Sequence, residues 1–149
     1  MKSLTTCLLV MLAGSAPLAA QAGAPNSAKE LWDTYVELGA SFDTSLASLY
    51  SDNAIIRNTR RYPDGRTRTL EMSGTDYKTL IRQAMPLARS RGDVDVYSNV
   101  QFEEVGDRTR IRATRYSTLK KYRAPHELIV GKSDGAGWKI LEETGESRP

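Results

Sequence analysis

The order of sequence periods predicts an α+β domain, with helices covering one face of a curved antiparallel sheet. Three observations carry this. Apolar residues recur at helical spacing in two segments, Leu31–Tyr35–Leu38–Phe42 and Tyr77–Leu80–Ile81–Ala84. From Asp93 to near the end the pattern alternates with a period of two, broken by turn residues. The helical segments are thus segregated from a long run of strands. At 149 residues there is room for one domain.

The first 22 residues, MKSLTTCLLVMLAGSAPLAAQA, place a positive charge at Lys2, an apolar run over 7–13 and the small-residue site Ala20-Gln21-Ala22. That order is expected of a secretory signal peptide over 1–22, cleaved near Ala22, which would make the protein periplasmic or secreted. The apolar run is too short to cross a bilayer. Cleavage leaves 127 of the 149 residues, and loss of Lys2 takes the formal charge from +3 to +2. The single cysteine, Cys7, leaves with the leader. The mature chain then has no disulfide framework, thiolate nucleophile or cysteine metal site. A core of this size suffices without them. So small a net charge does not suggest a nucleic-acid partner.

Residues 23–27 read as a flexible lead. Ser27 and Glu30 then form a capping box that opens the first helix. Trp32 and Val36 widen its apolar stripe. Asp43 caps a second, short helix whose apolar positions are Leu46, Leu49 and Tyr50. Strands are expected over 55–62 and 66–72, joined by the turn Pro63-Asp64-Gly65. A helix opens near Ser73–Asp76, Pro86 is expected to kink or end it, and Gly92 closes the region. In the next strand Val94, Val96, Ser98, Val100 and Phe102 form the inner phase, with Asp95, Tyr97 and Glu103 opposite. Gly106-Asp107 turns the chain into a long strand over 108–123. Strands over 126–132 and 138–143 follow, separated by the turn at 133–137. Residues 28–144 form the domain and 145–149 a C-terminal tail.

This order resembles the nuclear transport factor 2-like superfamily, also called SnoaL-like or ketosteroid-isomerase-like. The residues that carry the resemblance are LASLYSDNAII (46–56), GTDYKTLI (74–81) and GWKILEE (137–143). The resemblance covers roughly residues 28–144 and points to an uncharacterised secreted bacterial subgroup. It implies a cystatin-like α+β roll: a strongly bent sheet wrapped around the N-terminal helices as a cone with an open mouth. Members of that superfamily include isomerases, dehydratases, ligand binders and docking modules, so the fold alone does not choose an activity.

The isomerase chemistry implied by the resemblance needs an interior Asp base beside a Tyr and a protonated Asp. Asp95 and Glu103 fall on the polar phase and Asp43 is a cap, so that pattern is not visible. The one histidine, His126, shares phase with Leu128 and Val130. Glu142 shares phase with Trp138 and Ile140 and is its candidate acid–base partner. One histidine without cysteines leaves too few ligands for zinc, so no metal site is expected. No phosphate-binding loop or cofactor motif is present. Trp32, Tyr35, Phe42, Phe102 and Trp138 are expected to line the interior. Arg108, Arg110 and Arg112 make a basic face on the strand DRTRIRATRYS (107–117), available either to neighbouring carboxylates or to an anionic partner. Arg115 shares phase with Ile111 and Ala113 and is expected as an interior cation needing an acid or an anionic ligand.

The expected function is a secreted, non-catalytic cone-fold domain that binds a small ligand or an anionic envelope component. Its site is expected at Arg115, His126, Trp138, Glu142, Trp32 and Tyr35, without a cofactor and without nucleic acid. The alternatives are a lyase, isomerase or hydrolase using His126 and Glu142, and a docking module or homodimer using an exposed sheet face.

Overall fold

The computed structural model describes residues 23–133, 135 and 137–149, so the leader expected over 1–22 lies outside the described residues. The elements run α1 (Ala28–Ala40), a 3-10 helix (Thr44–Leu49), β1 (Tyr50–Arg61), β2 (Thr67–Ser73), α2 (Gly74–Arg91), β3 (Asp95–Val105), β4 (Arg108–Ser117), β5 (Tyr122–Ser133) and β6 (Gly137–Ser147). The strands form one six-stranded sheet in the order β2-β1-β6-β5-β4-β3. This is the α+β class expected. One pair departs from an all-antiparallel sheet: β1 runs parallel to β6, where a hairpin and a four-stranded meander meet.

The helix ends follow local chemistry. Ser27 Oγ accepts from the Glu30 N–H at 3.1 Å, while the Glu30 carboxylate reaches one residue further, to the Asn26 N–H at 2.8 Å. Asp43 accepts from the Ser45 N–H and Ser73 from the Asp76 N–H. Gly92 ends α2 in the left-handed conformation at φ 62°. Pro86 does not end that helix, which continues to Arg91. The bond it removes, to the Arg82 carbonyl, lies among exposed residues, where its loss is tolerated. Gly74 lets α2 begin directly on β1: a Cβ there would sit 2.0 Å from the Ser51 carbonyl oxygen.

The core lies between α1, α2 and the concave face of the sheet. Leu31, Tyr50, Ile111, Leu128, Val130 and Ile140 are its most fully buried large side chains. Residues 23–27 are not simply a flexible lead. Pro25 is buried, and its carbonyl accepts from the Trp138 N–H at 3.1 Å. Neither is 145–149 a tail, because β6 pairs with β1 as far as Ser147. The strand expected over 108–123 is broken at residues 118–121, where Lys121 takes φ 56° and its N–H returns to the Ser117 carbonyl.

Two bulges re-aim side chains. In β3 the register shifts between Ser98 and Gln101, with Asn99 at φ 53°. Before the bulge Asp95 and Tyr97 lie opposite Ser117 and Arg115 and face inward, whereas Val96 faces outward and is 51% exposed. After it Phe102 lies opposite Ile111, yet it stays 42% exposed and does not join the core, so it does not line the interior as expected. The expected single phase from Val94 to Phe102 is therefore two phases joined at a bulge. In β6, Val130 opposes Ile140 but Ile129 opposes Glu142, so Leu141 is the extra residue. A one-residue slip exchanges the faces of everything beyond it.

Candidate functional site

The β6 bulge decides which acid enters the cone. Glu143, opposite the fully buried Leu128, faces inward and is 8% exposed. Glu142 faces outward at 35% side-chain exposure, 3.2 Å from Arg57 and 4.0 Å from Arg108. The interior place expected for Glu142 thus belongs to Glu143, and the proposed pair of His126 with Glu142 is excluded because the two side chains point to opposite faces.

Glu143 is held by two phenols. Tyr50 donates to Oε2 in a short hydrogen bond, and Tyr77 donates to Oε1 at 3.3 Å. The two rings meet edge to face, 5.1 Å apart. Burial raises the Glu143 carboxyl above the usual carboxylate range, against the opposing pull of the two phenols and Arg115. Burial, and then the nearby Glu143 charge, push both phenols well above their ordinary value, so they act as donors.

Beside this group lies a second one. Tyr35 Oη is 3.2 Å from Tyr97 Oη and 3.2 Å from His126 Nε2. The Tyr35 and His126 rings stack with centroids 5.8 Å apart, and Trp32 packs against all three. His126 is 4% exposed. Burial, helped by the positive Arg115, pushes its pKa down to about 3. The imidazole is neutral at neutral pH. With its proton on Nδ1, Tyr35 donates to Nε2 and accepts from Tyr97.

The third group is the interior cation. Arg115 donates to Asp95 at 3.1 Å, to Tyr122 Oη at 3.1 Å and to the Glu146 carbonyl at 2.5 Å. Burial works against its charge, but Asp95, Tyr122 and Tyr97 more than offset this. The acid paired with Arg115 is thus Asp95, which the first phase of β3 turns inward. Burial raises the Asp95 carboxyl and Arg115 opposes the rise.

These groups border a cavity with two adjoining lobes of about 450 and 440 Å³. Both lobes are lined by Tyr35, Tyr77, Tyr97, Asp95 and Arg115. Tyr50 and Ile81 close the first, and His126 and Glu143 the second. Trp32 backs the wall without lining either lobe. Trp138 lines neither, being half-buried beside the lead, its buried indole N–H without a partner among the described residues. Among the described residues, no group of three His, Cys, Asp or Glu side chains could hold a metal ion.

The basic face is a ladder of ion pairs on the outside of the sheet. Arg110 lies 3.2 Å from Glu103 and 3.7 Å from Glu127, and Arg112 lies 3.1 Å from each. Arg108 completes it through Glu142. Exposed pairs of this kind contribute about 0–1 kcal/mol each. Each arginine of this face therefore has a carboxylate partner.

No protein-family model matches the chain, and no curated protein matches it. Solved structures do. The chain is similar to an NTF2-like protein of unknown function from Pseudomonas putida KT2440, at TM-score 0.60 and 9% identity, over 80% of this chain and 82% of that one. A second NTF2-like protein of unknown function, from Shewanella oneidensis MR-1, gives TM-score 0.56 and 13% identity over 80% and 95% of the two chains. An NTF2-like protein with a cystatin-like fold from Novosphingobium aromaticivorans gives 0.52 and 15%, over 78% and 77%. At these identities the likeness is one of fold: the chain has the nuclear transport factor 2-like, cystatin-like architecture.

Proposed function

We propose that this nuclear transport factor 2-like domain binds one small organic molecule in the two-lobed cavity and performs no chemistry on it. The observation that carries the reading is the cavity itself. Each lobe is within the range of about 300–1,000 Å³ typical of small-molecule sites, and aromatic side chains with a few converging polar groups line both. Acid–base work has less support, because each acid or base in the wall is held by a neighbour: both Glu143 oxygens accept from tyrosines, His126 Nε2 faces Tyr35, and Asp95, which lines both lobes, is paired with Arg115. A docking role for the sheet has less support, since β4 and β5 present the charged ladder outward.

The domain acts outside the cytoplasm in this reading, supported by the charge, apolar run and A-x-A site of residues 1–22. Intact mass of protein from an extracytoplasmic fraction should correspond to a chain starting at Gly23; a chain retaining Met1 would contradict cleavage, and recovery only from the cytoplasm would contradict export.

The binding test uses an uncharged apolar dye, N-phenyl-1-naphthylamine. The expected result is saturable one-to-one binding that weakens at least tenfold in Gly39→Leu. Gly39 lines the first lobe, and nothing lies within 4 Å of a Cβ built on it. Leucine there intrudes into the lobe and also suits a helix better than glycine. Absence of saturable binding to the wild type, by this dye and by its sulfonated counterpart alike, would sink the proposal.

A further inference from the structure

The lip of the second lobe carries an unbalanced charge pair. Arg60 on β1 lies directly opposite Arg68 on β2. Both share the inward phase of Ile56 and Met72, and both line the second lobe; Arg60 lines the first as well. Like charges directly opposite on a sheet repel. Their neighbours on the same hairpin are neutralised: Arg57 by Glu71 and Glu142, Arg61 by Glu146, Arg66 by Asp64. Among the described residues, neither Arg60 nor Arg68 has an acidic partner. The carboxylates that line the second lobe are already engaged: Asp95 by Arg115, Glu146 by Arg61 and Glu143 by Tyr50 and Tyr77. The cavity therefore pairs a phenol-lined interior with a lip whose positive charge nothing in the described chain balances.

We propose that the ligand is an amphipathic organic anion. Its apolar body lies among Tyr35, Tyr77 and Tyr97, and its oxyanion group sits between Arg60 and Arg68. This rests on the binding reading above. An oxyanion there relieves the repulsion and meets two planar guanidinium forks, each able to make paired hydrogen bonds. Carboxylate, sulfonate and phosphate share this chemistry.

Two dyes with one body separate charge from cavity. 8-Anilinonaphthalene-1-sulfonate carries the oxyanion, and N-phenyl-1-naphthylamine lacks it. The sulfonate should bind one-to-one and about tenfold tighter than the uncharged dye, equivalent to about 1.4 kcal/mol. Arg60→Gln/Arg68→Gln should remove that advantage, so that the variant holds the two dyes with equal affinity. Without dye, the variant should melt no lower than the wild type, since it loses a repulsion and no ion pair. Displacement of the sulfonate by octanoate or by octyl phosphate identifies the preferred oxyanion, and octanol should displace it far less. Equal affinity for the two dyes, or unchanged sulfonate binding in the double variant, overturns the anion assignment and leaves the binding reading standing. If neither dye saturates, both proposals fall.

Discussion

Acidification from pH 7 to pH 5 should destabilise the fold through His126 in particular. The imidazole is neutral in the folded chain because burial, aided by Arg115, lowers its pKa from 6.5 to about 3. The unfolded chain binds the proton first as pH falls below 6.5. Stability that His126 contributes above that value is therefore lost as pH falls toward 3. Integrating the two titrations from pH 7 to pH 5 gives a loss of about 2 kcal/mol. Glu143 works in the opposite sense, because its raised pKa makes the folded state take up a proton first on acidification. The clean measurement is thus a difference. Urea unfolding at both pH values should show the wild type losing about 2 kcal/mol more than His126→Gln, a relative midpoint shift of about 1 M at an ordinary slope. The variant keeps Glu143 and every outer ion pair, so equal losses in the two proteins would refute the assignment of a buried neutral imidazole.

Two further substitutions probe the same interior. Tyr50→Phe removes one of the two donors to Glu143 and should cost about 1–3 kcal/mol in urea unfolding; a neutral effect would mean that the phenol does not hold the carboxyl. Gly74→Ala drives a Cβ into the Ser51 carbonyl and should cost about 3 kcal/mol or more, because backbone must move; a wild-type melting temperature would contradict the close approach of α2 to β1.

What the sequence made legible, and what it hid, follow from locality. The caps at Ser27 and Asp43 and the left-handed Gly92 are decided within a few residues, and their side-chain types announce them. Arg115 reads as interior because it shares an unbroken phase with Ile111 and Ala113 on β4. Glu143 and Asp95 were hidden by bulges, since an extra residue reverses inside and outside without leaving a residue type that marks it. The adjacent glutamates at 142 and 143 made that reversal invisible to composition as well. Tyr50 and Tyr77 read as apolar core positions. A phenol supplies both an apolar ring and a donor, and only its partner reveals which matters. The partners here lie 93 and 66 residues away in sequence. The parallel pairing of β1 with β6 is equally remote, and it turned the expected C-terminal tail into strand.

Where a bound molecule lies can be read from a titration of isotopically labelled protein with 8-anilinonaphthalene-1-sulfonate, followed by amide chemical shifts. Changes concentrated at Tyr35, Arg60, Tyr77, Tyr97 and Arg115 are the predicted result. Changes confined to Arg108, Arg110 and Arg112 on the outer ladder, with the cone interior silent, would contradict a binding cavity inside this fold.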